Sequence, residues 1–321
     1  AWAKKGWVIA RDQVGFGGDY AFGRSAAAAA PRLSETADAL TAEIAGTRAV
    51  FSRKTGTLCE FVRNGKTILR DVDGVVHGPR LTVMRALTDN DIWLREPFYA
   101  SGLTQLRYHA RPIRVDGNAV RTTVEVTGSK SAGFTHETTW RFGADGSVVL
   151  ENVVRPHGTM PSALPRLGLS LKLANDLDRV TWYGRGPREN YVDRLTGSFL
   201  GVWASAADDL AEFYVRPQDN GSRCDVRWLD LTDAQGRGVR VTASQPLSVQ
   251  VRRCDWEDLE FARHRNRQQR FNASVRTNGW LDVNLDIRQL GLGGGSCGPR
   301  PEEKYVFPIA EERWTVRLEG K

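Results

Sequence analysis

Two pairs of closely spaced carboxylates invite a chemical reading first, Asp89 with Asp91 and Glu189 with Asp193. Two carboxyl groups about 5 Å apart can divide nucleophile and acid/base roles between them. Both pairs, however, sit in turn-forming runs, Thr88-Asp89-Asn90-Asp91 and Pro187-Arg188-Glu189-Asn190-Tyr191-Val192-Asp193-Arg194. Short polar side chains in such runs cap backbone groups, so loop architecture is the expected role and no catalytic residue is assigned. The histidines, His77, His109, His136, His157 and His264, are isolated and show no metal-ligand spacing. Cys59, Cys224, Cys254 and Cys297 form no CxxC pair, so neither thiolate ligation nor a disulfide framework is expected. The glycines of Leu290-Gly291-Leu292-Gly293-Gly294-Gly295 are not followed by Gly-Lys-Ser/Thr, which sets a phosphate loop aside.

The elements that must position these residues read as short strands. Thr122–Thr127, Val148–Val154, Gly238–Ala243 and Trp280–Ile287 alternate apolar and polar residues, placing one set on each sheet face. Turn signals separate them at Asp116-Gly117-Asn118, Asp145-Gly146-Ser147, Asn220-Gly221 and Asn278-Gly279. Helical signal is confined to one or two turns within residues 204–214. The chain is therefore expected to be all-β, with under about one-tenth helix against a globular average near one-third. Ala26–Ala30 stops at Pro31 and reads as a linker. Before it, Gly6–Val14 looks like a lone strand whose partners lie outside its own neighbourhood.

At 321 residues, 40% hydrophobic and 26% charged, the chain can bury one large β-domain or two ordinary ones. No apolar run approaches the length of a membrane helix. The net charge of +7 is spread along the chain, with one concentration at Arg263–Arg270, and no nucleic-acid signature accompanies it. No nucleic-acid and no membrane partner is expected. The start at Ala1-Trp2-Ala3-Lys4-Lys5 carries neither signal-peptide core nor initiator Met, which suggests a processed chain or a fragment; the compartment stays open between cytoplasm and periplasm.

Three segments carry a resemblance: Arg85-Ala86-Leu87-Thr88-Asp89-Asn90-Asp91-Ile92, Trp182-Tyr183-Gly184-Arg185-Gly186-Pro187-Arg188-Glu189-Asn190-Tyr191-Val192-Asp193-Arg194, and Leu290–Pro299. With Tyr214-Val215-Arg216-Pro217-Gln218-Asp219-Asn220-Gly221 they resemble, in order and spacing, the C-terminal domain (domain 5, the small chain) of bacterial glycoside hydrolase family 2 β-galactosidases. The resemblance implies a large antiparallel supersandwich, galactose mutarotase-like, over residues 31–321. Residues 1–30 would be the last strand of a preceding immunoglobulin-like domain plus a linker. It implies that the catalytic glutamates lie on an absent TIM barrel, and that this chain completes the active-site mouth and the assembly for hydrolysis of terminal β-D-galactosides.

Residue by residue, the resemblance makes Trp93–Leu103 a mobile lid hinged at Gly102 and anchored by Asp89, Asn90 and Asp91. It puts Cys297, Gly298 and Trp93 near substrate, Cys297 standing where many family members have Trp. Trp182, Gly184, Gly186, Pro187, Glu189, Asn190, Tyr191, Asp193 and Arg194 form a structural motif. In it the two glycines allow positive φ or close approach, and Glu189, Asp193 and Arg194 form a buried ion-pair network. No cofactor is expected within this chain. Mg and Na are implied for the intact enzyme, sodium near Arg216 and Pro217. The implied partners are the N-terminal part or large subunit of the same enzyme, a galactoside, and further copies in an oligomer. The rival readings are a free-standing carbohydrate-binding module and a mutarotase-like sugar epimerase.

Overall fold

The computed structural model describes residues 2–15, 20–23, 26–212, 214–265, 275 and 277–321. Strands take up 46% of the chain and helix 9%. The first sheet is an antiparallel meander, β1 (Arg32–Glu35), β2 (Ala39–Ile44), β3 (Thr47–Ser52), β4 (Leu58–Arg63) and β5 (Lys66–Arg70), in sequence order. Its hairpins close on Ala45-Gly46 and Asn64-Gly65, with φ of 44° and 76° and of 47° and 76°. Successive positive φ values match the right-handed twist of the flanking strands, and Asn-Gly tolerates them best.

The second sheet has thirteen strands. They are β6 (Arg80–Thr82), β7 (Arg107–Ala110), β8 (Arg114–Asp116), β9 (Ala119–Thr127), β10 (Gly133–Phe142), β11 (Val148–His157), β12 (Arg166–Ala174), β13 (Arg179–Gly186), β14 (Phe199–Ala206), β15 (Arg223–Thr232), β16 (Gly238–Arg252), β17 (Trp280–Gln289) and β18 (Glu312–Gly320). The main path runs β14-β13-β15-β16-β18-β11-β10-β9-β7. The 15-residue β16 forks it. Its first half pairs with β18 over Val239–Ala243, and its second half with β17 over Ser248–Arg252. From that fork β17 leads to β12 and β6.

One hydrophobic core joins both sheets: Leu40, Phe51 and Phe61 of the small sheet pack with Trp140, Leu150 and Val316 of the large one. Phe51 meets Trp140 edge-to-face with ring centroids 5.0 Å apart. The alternation read from β9 and β11 places one face inward and the other toward solvent. In β17 the alternation holds as well. Leu281, Val283 and Leu285 are buried, but so are Asp282, Asn284 and Asp286 on the opposite face. β17 pairs with β12 on one edge and β16 on the other, and its polar face is answered by the partners described below.

Helices depart further from expectation. The lid segment is instead helix α1 (Ile92–Ser101), entered through a one-turn 3-10 helix at Asp89–Asp91. A capping box of Thr88 and Asp91 starts it, and Leu94 with Phe98 buries one stripe. Pro97 inside the helix hides this signal from sequence, because proline is the poorest helix former. Gly102 is no hinge. It is the left-handed cap, φ 78°, and a Cβ there would lie 2.6 Å from the Lys130 amide nitrogen. A second helix, α2 (Trp256–Arg265), holds the start of the basic run; residues 266–270 lie outside the described residues. The turn expected within 204–214 is a 3-10 helix at Ala207–Leu210.

Gly6–Gln13 joins no ladder among the described residues. Gln13 hydrogen-bonds both backbone groups of Leu200 on edge strand β14, and Ala28 bridges to Gly143. Phe51 is the direct test of the two-sheet core. Phe51→Ala should cost about 3–5 kcal/mol by urea unfolding; a loss under about 1 kcal/mol would mean that the sheets are not held by this contact.

Candidate functional site

Four loop segments meet at one end of the large sheet and enclose a cleft of about 340 Å³. Thr88, Asp89 and Asn90 line one side, Glu189, Asn190, Tyr191 and Arg194 another, with Tyr214, Gln218 and Asp219 beneath and Leu292 and Ser296 closing it. Backbone stitching holds the segments together. Asp219 N donates to Ala86 O at 3.1 Å, and Asn190 N to Ser222 O at 2.8 Å. The Arg85 guanidinium donates to Leu290 O at 2.8 Å.

Each carboxylate that lines the cleft is engaged, as are Asp91 and Asp193 beside it. Asp91 is fully buried against Arg85 at 2.9 Å and accepts from Thr88 N at 2.8 Å. Asp89 pairs with Arg216 at 3.0 Å. Glu189 accepts from the Tyr214 hydroxyl and, at 2.7 Å, from Gly221 N. Burial outweighs these bonds and raises the Glu189 carboxyl above its ordinary value, while burial and Glu189 together push the Tyr214 phenol up. Asp193 accepts from Leu292 N at 3.0 Å and Gly293 N at 2.7 Å.

Of the ion-pair network expected of Glu189, Asp193 and Arg194, the Asp193–Arg194 pair forms at 3.4 Å and Glu189 stays outside it. Arg194 also donates to Gly293 O at 2.6 Å. Asp193 and Arg194 both reach the backbone at Gly293, whereas Glu189 turns away to Gly221 N. Gly184 and Gly186 serve close approach and carry no positive φ. A Cβ at Gly184 would meet Val226 Cα at 2.8 Å, and one at Gly186 would meet the Trp203 indole at 2.7 Å. Trp182 is buried in β13 and donates to Arg185 O at 3.0 Å, and Pro187 follows at the strand's end. Cys297, Gly298 and Trp93 stand outside the cleft's lining; Cys297 is exposed on the glycine loop.

The buried charges were the part that sequence reading missed. Directly under the cleft, Asp219 accepts from the Tyr191 hydroxyl at 3.0 Å, Gln250 at 2.9 Å and Arg252 at 3.1 Å, with Arg166 at 3.5 Å. Burial alone would raise this carboxyl, but Arg166, Arg252 and Arg85 hold it below the usual range. Asp286 of β17 has the opposite balance. Arg166 approaches it at 3.4 Å, yet burial and the neighbouring Asp219 charge push it up to about 7.

At the Arg216–Pro217 position, where sodium is expected, the Arg216 guanidinium pairs with Asp89 at 3.0 Å. Among the described residues no three His, Cys, Asp or Glu side chains gather as a metal site.

The family of the β-galactosidase small chain matches residues 43–318. The chain belongs to this family. It is 29% identical to a β-galactosidase of Vibrio cholerae over 308 residues, covering 90% of this chain and 28% of that protein. A β-galactosidase of Priestia megaterium is 28% identical over 300 residues, covering 92% and 28%. The small-chain member thus spans under a third of the length of these curated relatives. Among solved structures, a putative aldose 1-epimerase of Escherichia coli aligns over 88% of this chain and 98% of its own, at 9% identity and a TM-score of 0.48.

Two measurements test this geometry. With a folded pKa near 7 and an unfolded one near 3.9, Asp286 keeps a proton that the unfolded chain releases. Its contribution to stability is therefore present below about pH 4 and lost as pH rises toward 7. Asp286→Asn should gain more urea resistance at pH 8 than at pH 5; an equal effect at both would show that Asp286 does not titrate there. Cys224 and Cys254 are buried, with thiols pushed by burial to about 12 and about 11, and Cys59 is half-buried. The native chain should release one fast equivalent with Ellman's reagent, and Cys297→Ser should abolish it. Persistence of the fast phase in that variant would contradict the placement of the glycine loop.

Proposed function

We propose that this chain is the C-terminal part, or small subunit, of a glycoside hydrolase family 2 β-galactosidase. On this reading it is a supersandwich that completes the mouth of the active site and docks on the large portion of the enzyme. The catalytic glutamates for cleaving terminal β-D-galactosides belong to a barrel domain outside it. One observation carries the reading beyond family membership: the carboxylates that line the cleft, Asp89, Glu189 and Asp219, are each engaged by a guanidinium, a hydroxyl or a backbone amide. A retaining glycosidase needs one carboxylate free to attack and a second free to exchange a proton. A cleft so built shapes and orients; it does not hydrolyse. Cys297 and Trp93 then belong to the substrate side of the mouth, with the deeper sugar pocket supplied by the partner.

The experiment is reconstitution. The purified chain should not cleave o-nitrophenyl β-galactoside, and adding the N-terminal portion of its own protein should restore turnover. Hydrolysis by the isolated chain that survives repurification would overturn the proposal, as would full activity of the N-terminal portion alone.

A further inference from the structure

We propose that Asn90 is a positioning residue that locks helix α1 and the 290–300 glycine loop into one mechanical unit, presenting Cys297 at a fixed place beside the first turn of α1. Its consequence for substrate binding rests on the galactosidase reading above; the lock itself does not.

The loop cannot order itself. Gly291, Gly293, Gly294, Gly295 and Gly298 leave it few side chains to pack, and glycine loses more conformational freedom on ordering than any other residue. Its internal bonds close one tight turn, with Cys297 N and Gly298 N both donating to Gly294 O, at 3.0 and 2.6 Å, and Gly294 N to Pro299 O at 2.9 Å. At the stem, Leu290 N donates to Pro165 O, Gly291 N to Tyr305 O and Arg85 to Leu290 O, while from the second motif Asp193 takes the amides of Leu292 and Gly293 and Arg194 takes Gly293 O. These leave the tip unheld.

The tip is held by Asn90. Its Oδ1 accepts from Ser296 N at 3.2 Å and from the Ser296 hydroxyl at 2.7 Å. Its Nδ2 donates to Gly293 O at 3.0 Å. Among the described residues, the side-chain hydrogen bonds that reach residues 294–298 from other segments all come from Asn90. The amide is used at both ends, as donor and as acceptor, so its orientation is fixed. Asn90 in turn has a rigid base, the Asp89–Asp91 turn pinned by the buried Arg85–Asp91 pair.

Packing closes the unit on the helix side. A Cβ at Gly295 would lie 2.5 Å from Asn90 O and 3.3 Å from Trp93 Cδ1, so only glycine lets the tip sit against α1. At the loop's exit the Arg300 guanidinium lies over the Trp93 ring, 5.0 Å from its centroid. Trp93 is thus gripped by the tip and the exit of the same loop. Whatever displaces α1 displaces Cys297 with it.

Hydrogen–deuterium exchange on the purified chain tests the lock through peptides spanning 290–300. Asn90→Ala should speed exchange there by about tenfold, the factor that losing one to two net hydrogen bonds produces. Trp93→Ala should speed it in the same peptides, while β12 and β17 keep their rates. Unchanged exchange in Asn90→Ala would overturn the proposal. If that variant loosens the whole chain, Ser296→Ala decides: it removes one hydroxyl bond at an exposed residue, and faster exchange confined to the loop supports the lock, whereas none overturns it. In the reconstituted enzyme, Asn90→Ala should raise KM with little change in kcat. A loosened loop with unchanged KM would leave the lock standing and overturn the substrate-side role of the loop.

Discussion

The Asp219 carboxylate is the interaction on which the cleft depends. It takes hydrogen bonds or ion pairs from the Tyr191 hydroxyl, Gln250, Arg252 and Arg166, and its own amide bonds Ala86 O. Those partners come from the loop after β13, from β16, from β12 and from the segment before α1. One buried charge therefore ties together the strands at the fork and two of the loops that line the cleft. Desolvating such a group is costly, and removing one partner from a buried charged set is costlier still, about 3–5 kcal/mol. The arrangement is stable only as a whole. That explains why the loops above it can be rich in glycine and still hold a shape.

The buried polar face of β17 creates the need for that charge set. β17 pairs with β16 on one edge and β12 on the other, and both of its faces are interior, Asp282 and Asp286 included. Lys172 answers Asp282 directly across the β12–β17 ladder. Asp286 is answered by Arg166, which it must share with Asp219. Sharing leaves Asp286 without a hydrogen-bond donor of its own among the described residues, and its carboxyl is displaced toward neutrality. The topology and the electrostatics are thus one problem: enclosing β17 builds the platform for the cleft and forces its underside to be ionic.

Much of the sheet structure was legible because period two survives wherever one face meets solvent, as in Ala119–Thr127. It holds at Trp280–Gln289 too, although there the polar face is buried as well. A readable clue did exist. Arg166 and Lys172 occupy the polar positions of one strand and Asp282 and Asp286 those of another, a complementarity that solvent-facing strands do not require. Helix α1 was hidden for a different reason. Pro97 lowers the intrinsic propensity, and the helix forms because Leu94 and Phe98 are buried by the rest of the molecule. The meeting of the three motifs came from resemblance and not from spacing; the separation of Asn90 from Ser296 by 206 residues leaves no local trace.

Rigidity, finally, is distributed in layers. Arg85 links them, bonding Asp91 on one side and Leu290 O on the other from a fully buried position. Below it lies the Asp219 set, and above it the hydrogen bonds that Asn90, Asp193 and Arg194 make to the glycine loop. Each layer fixes the base from which the next reaches out. The contacts of Asn90 in the outermost layer are neutral, individually worth about 1 kcal/mol, and can be altered without unfolding the chain. The innermost cannot. A surface loop placed this way can vary in the residue it presents, Cys297 included, while the geometry that presents it stays constant.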